Sequence, residues 1–154
     1  MFVTSLFLHS LVRWLVLASL LFAILRAYHG WLTHRPYSRW DRFARLCAVS
    51  FLHLQLLLGI VLYILSPIVT YFLHHFKEAV HQRDLRFFGM EHVTMMVVAV
   101  TIITIGSAKV KRRSTDAAKY KTMAIWFTIG LLIIFLSIPW AFSPFTVRPY
   151  IRPF

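Results

Sequence analysis

Residues 5–25, SLFLHSLVRWLVLASLLFAIL, decide how the rest of the chain is read. Apart from His9, Arg13 and a few serines the stretch is apolar, and it is long enough to cross a hydrocarbon core, which takes about 20 helical residues. His9 and Arg13 stand four residues apart, so on a helix they share one face. Ionisable side chains in a span are costly and turn toward the bundle interior, where a partner or a bound group compensates them. The stretch lacks a basic n-region, exceeds a typical h-region and has no small-x-small site after it, so it is expected to remain in the mature protein as a span rather than leave as a signal peptide.

The composition agrees. Of 154 residues 59% are hydrophobic and only 14% charged, a poor covering for a soluble domain and a good one for a membrane protein. The net charge of +12 sits almost wholly between the apolar runs and after the last one. Such charge faces anionic lipid headgroups and sets topology; it does not indicate nucleic acid. Cys47 is the one cysteine, which excludes an intrachain disulfide, a thiolate cluster and c-type haem attachment; it is expected as a small buried apolar residue.

Three further runs follow, about 46–65, 90–108 and 123–142, beside the first at about 6–25. The expected fold is an all-α membrane protein, a single domain over residues 1–154 built as a bundle of four transmembrane helices. Between the second and third spans, Val69, Phe72, Leu73, Phe76, Val80 and Leu85 recur at helical spacing, which predicts an amphipathic helix lying in the interface. Residues 143–154, with Pro144, Pro149 and Pro153, predict an extended aromatic tail. The connection 26–45 carries five arginines against Asp41, net +4, and 109–121 carries six basic residues against Asp116, net +5. The connection 67–91 is neutral, three basic residues against three acidic. By the positive-inside rule the first two are cytoplasmic, with the neutral connection and both termini on the periplasmic side.

On that topology His9 and His92 are level near the outer ends of two helices. His53 lies about seven residues into a helix entered from the cytoplasm, roughly 10 Å from the opposite face. His29 and His34 fall in the first basic connection, and His74, His75 and His81 in the neutral one, where solvation is their ordinary state. Two imidazoles at one depth on two helices are able to hold a haem iron axially, and Arg13 would pair with a propionate. Spacing alone leaves the alternative open: His9 and Arg13 snorkel to the interface and Arg13 pairs with Glu91, without a cofactor. A zinc or copper site from Glu91, His92, His9 and one of His74 or His75 is a second alternative, weakened because adjacent helical residues point about 100° apart. His53, Leu56 and Gly59 or Ile60 fall on roughly one face with Gln55 turned away; Gln55 and Gly59 suit interhelical hydrogen bonding and close approach, and Met90, Met95 and Met96 suit packing. Trp14, Trp31, Trp40, Trp126 and Trp140 fall mostly near run ends, as an aromatic belt does. There is no phosphate loop, nucleophile elbow or intramembrane carboxylate pair, so an independent hydrolase or transferase is not expected.

The segments LHSLVRW, HLQLLLGIVLYILSPIV, MEHVTMMVVAVTIITIGSAKVKR and TDAAKYKTMAIWFTIGLLIIFLSIPW together resemble a group of short four-helix membrane proteins of Bacteroidota-type bacteria known as cytochrome b, over nearly the whole chain. A looser similarity is to one half of haem A synthase, although this chain lacks that family's Glu-x-x-x-His-Arg motif. The resemblance implies haem b in a four-helix bundle of a bacterial inner membrane, with His9 and His92 as the preferred axial pair, His53 as the competing ligand and Arg13 beside the haem. It further implies electron transfer or a haem-bearing subunit of a respiratory complex, with other membrane subunits or further copies of the chain as partners. A cofactor-free accessory or assembly subunit of a redox complex is the alternative.

Overall fold

A computed structural model describes residues 1–140, and every structural statement below concerns those residues; the tail expected over 143–154 lies outside them. The chain is helical, with no strand among the described residues. Its elements are α1 (Phe2–Leu32), α2 (Arg39–Leu65), α3 (Pro67–His74), the single turns α4 (Phe76–Ala79) and α5 (Arg83–Arg86), a π-helical turn over Phe87–Glu91, α6 (His92–Lys111) and α7 (Asp116–Ser137). Four helical stretches are long and apolar enough to cross a membrane: Phe2–Leu32, Arg39–Leu65, Arg83–Lys111 and Asp116–Ser137.

The helices run beyond the apolar stretches into charged sequence. The first connection shrinks to residues 33–38 and the third to 112–115, because capping side chains start the next helix early. At α2 the Ser38 hydroxyl accepts from the Asp41 amide at 3.4 Å and the Asp41 carboxylate accepts from the Ser38 amide at 2.9 Å, a reciprocal capping box. Thr115 caps α7 by accepting from the Ala118 amide. At the other end of α2, Ser66 caps α3 and Pro67 occupies its first position, so helix stops and restarts across one residue. The single amphipathic helix expected over 69–85 is instead α3, the turn α4 and, from Arg83, the beginning of the third span.

Packing closes a ring in which α1 meets α2 and α7, and α6 meets α7 and, less extensively, α2. Each helix turns small residues inward: Ala23, Ala27 and Gly30 on α1, Ala44 and Ala48 on α2, Ala99, Gly106 and Ser107 on α6, Ala124 and Gly130 on α7. In a bilayer, where lipid is as apolar as leucine, close approach of this kind supplies the van der Waals contact that holds helices together. Gly130 shows the requirement: a Cβ there would overlap the Ile103 side chain of α6.

The two ends of the bundle differ. Near the α1–α2 connection Asp41 is wholly buried, with Arg26 at 2.7 Å, Arg35 at 2.9 Å and the Tyr120 hydroxyl at 2.7 Å. That carboxylate joins α1, the connection, α2 and α7. Nearby Arg45 is buried and donates to the Ser107 hydroxyl and carbonyl of α6. At the opposite end the inward residues of α2 stop being buried after Leu52, and the helices surround a hollow.

Candidate functional site

The hollow has a volume of about 460 Å³, mostly apolar, within the ordinary range for small-molecule sites. The N-terminal turns of α1, the C-terminal half of α2, the start of α6 and the end of α7 form its walls, with α3 and Phe88 beside them. Its polar lining includes His9, Ser10, Arg13, Gln55, Tyr63 and His92. His9, Arg13 and His92, singled out from sequence, therefore converge on one cavity, and the Arg13 charge is near both imidazoles.

His53 does not line it. That residue is exposed on the outer side of α2 and shares a 2.9 Å hydrogen bond with Thr104 of α6. His74 and His75 are exposed and donate from Nδ1 to the carbonyls of Thr70 and Tyr71 in their own turn. Glu91 pairs with Arg86 at 2.6 Å, which corrects the pairing with Arg13 considered above. Among the described residues no three His, Cys, Asp or Glu side chains gather as a metal site.

Each cavity imidazole is held differently. His92 Nδ1 donates to the Ser137 carbonyl at 2.9 Å, which leaves Nε2 as a lone-pair nitrogen. A ligating histidine is commonly fixed in this way, by a backbone carbonyl on its other nitrogen. His9 is clasped from α2: Gln55 Nε2 donates to the His9 carbonyl at 3.0 Å and lies 3.2 Å from His9 Nε2. The carbonyl contact fixes the Gln55 amide orientation, since its oxygen facing another oxygen would repel. The amide then donates to His9 Nε2, and the His9 proton resides on Nδ1. His9 Nδ1 and Gln55 Oε1 are left buried without a hydrogen-bond partner among the described residues. Unsatisfied buried polar atoms of this kind cost about 1–3 kcal/mol each, and both belong to residues that line the cavity. Arg13 places Nη2 3.5 Å from Ser10 Oγ, with its guanidinium 5.4 Å from the Trp14 ring centre.

Gly59 of α2 makes room for His9. A Cβ there would stand 3.4 Å from His9 Cε1, so anything larger than alanine would push into the imidazole or fill the cavity. Tyr63 donates to the Gly89 carbonyl at 2.8 Å and ties α2 to the π turn that precedes His92. Gln55 thus faces the cavity with Leu56 and Gly59 while His53 does not, which corrects the face expected for HLQLLLGIVLY; the signal for this wall was Gln55, Gly59 and Tyr63 recurring at helical spacing.

Comparison with protein-family models, with curated proteins and with solved structures finds no match to this chain.

Proposed function

We propose that the chain is a membrane cytochrome-b-like protein that binds haem b in the cavity between α1, α2, α6 and α7. One observation carries the reading: His9 and His92, from two different helices, line the same apolar cavity with Arg13, and His92 is held with Nε2 free. The donor set fits. His92 would hold the iron through Nε2; His9 would exchange its contact with Gln55 for the iron; and Arg13 would balance a propionate. Bound there, haem supplies one-electron redox chemistry. The chain's own residues exclude water with an apolar wall, orient His92 through Ser137 and bring a positive charge to the carboxylate side. The role that follows is electron transfer, or service as a haem-bearing subunit among other membrane subunits of a respiratory complex or further copies of this chain.

The bilayer would be a bacterial inner membrane. The Asp41 end would face the cytoplasm by its charge, and the cavity end the periplasm with the N-terminus. On this reading α3 and α4 lie in the outer interface over the cavity.

The second reading is a cofactor-free accessory or assembly subunit. It is favoured by the Gln55 amide, which already engages His9 Nε2. Visible spectra of the purified protein, oxidised and then dithionite-reduced, separate the two: a sharp reduced α-band supports haem b and its absence the accessory role. His9→Ala and His92→Ala should each abolish the low-spin spectrum while His53→Ala keeps it. Loss on His53→Ala with retention on His92→Ala would overturn the assignment.

A further inference from the structure

We propose that the seam between α6 and α7, at the end of the bundle bearing their connection, binds the phosphodiester headgroup of an anionic phospholipid, with Lys109 and Arg113 as the phosphate contacts.

Lys109 lies in the last turn of α6 and Arg113 just past its C-cap, Arg112. Each reaches a residue of α7, and those two are four apart. Arg113 Nε donates to Thr122 Oγ1 at 3.0 Å, and Lys109 Nζ lies 5.0 Å from the centre of the Trp126 ring. Both cations are exposed, and neither has a carboxylate partner among the described residues. Asp116, the first residue of α7, is taken by Lys119 at 2.8 Å. Arg113, anchored through Nε, presents its remaining guanidinium donors to a phosphate oxygen, and the Lys109 ammonium, held one α7 turn along at Trp126, offers a second contact.

The ring beneath them is fixed in place. Gly106 lacks a Cβ where the Trp126 side chain presses against α6. Toward the bundle middle, Ile105 lies one turn before Lys109 and Ile129 nearly one turn after Trp126, both exposed. The seam thus runs from two unneutralised cations, past an indole, to branched apolar side chains. This order matches a phospholipid from phosphate through glycerol ester to acyl chain, with tryptophan at the ester level where it is enriched. Free phosphate would meet only the outermost part of this surface, so the lipid is the occupant.

The full-length protein in a neutral detergent would be titrated with phosphatidylglycerol and, separately, phosphatidylcholine, following retained lipid by native mass spectrometry and thermal unfolding by tryptophan fluorescence. Phosphatidylglycerol should be retained and raise the unfolding temperature, and phosphatidylcholine should do neither. Lys109→Gln and Arg113→Gln should each weaken retention about fivefold, since a cation at an anionic surface contributes about 1 kcal/mol. Lys111→Gln, off the seam, should leave it unchanged. Lys109→Arg with Arg113→Lys should restore retention, which separates loss of charge from loss of folding. Equal retention of both lipids, undiminished retention by the double glutamine variant, or displacement of the lipid by millimolar inorganic phosphate would overturn the proposal.

Discussion

The imidazole of His92, first residue of α6, is bonded at 2.9 Å to the backbone carbonyl of Ser137, last residue of α7. A carbonyl only accepts, so the bond selects one tautomer and pins two helix ends together. His92→Leu in the haem-free protein should therefore cost about 1 kcal/mol, as the Ser137 carbonyl loses its donor. Thermal unfolding in detergent measures this directly, and an unchanged midpoint would mean that the bond is not formed.

Arg13 lines the cavity without being a ligand in the proposed site. Arg13→Leu should retain the low-spin spectrum while lowering haem occupancy or shifting the reduction potential, because it removes the charge opposite a propionate. A redox titration followed at the α-band reads both, and loss of the low-spin signature itself would assign Arg13 a larger part.

At the other end, Asp41→Asn should destabilise the bundle by roughly 2 kcal/mol, below the roughly 3–5 of a fully buried pair because Arg26 and Arg35 keep 25% and 32% of their side-chain surface exposed. Tyr120→Phe, which removes a hydroxyl bonded to Asp41, should cost about 1 kcal/mol. Chemical denaturation in mixed micelles compares the two, and the cavity's spectroscopy should be indifferent to both.

Gly59→Ala should be tolerated and Gly59→Leu should not, since the first adds a methyl at ordinary contact distance from His9 and the second enters the cavity. In the haem-loaded protein the leucine variant should lose the chromophore yet retain helical circular dichroism. Retention of both would place the bound group away from α2.

The orientation of the bundle is tested in a Cys47→Ser background. A cysteine at Gln82 should react with an impermeant maleimide added to spheroplasts, whereas one at Ser114 should react only after lysis. The reverse pattern would invert the assignment of sides.

The spans were legible because apolar length is a local property, and His9, Arg13 and His92 were legible because ionisable residues in apolar runs are rare. Asp41 was not. In sequence it is one acid among arginines in a connection, and its burial depends on Tyr120, 79 residues away. Gln55 stood out as a polar residue in a span, but that its amide would hold His9 depends on how α1 and α2 are rotated, which no local pattern encodes. The segment 69–85 carried helical periodicity throughout. Its break after His74 reflects packing: Phe72 is buried against Gly89, whereas Leu73 and Phe76 remain exposed.

The π turn at Phe87–Glu91 carries a consequence for phase. A π turn holds one residue more than an α turn, and its loosened ladder accompanies a glycine carbonyl that accepts from Tyr63. The extra residue works as an angular offset of about 100°: upstream, the Arg86 face is set by Glu91 and the chain before it, and downstream, His92 is set by α7. Deleting one residue here would regularise the helix and swing one face relative to the other, so that either the covering turns keep their seat or the imidazole keeps its carbonyl, but not both. In a membrane span, a single inserted residue thus acts as a vernier for the direction in which a histidine points.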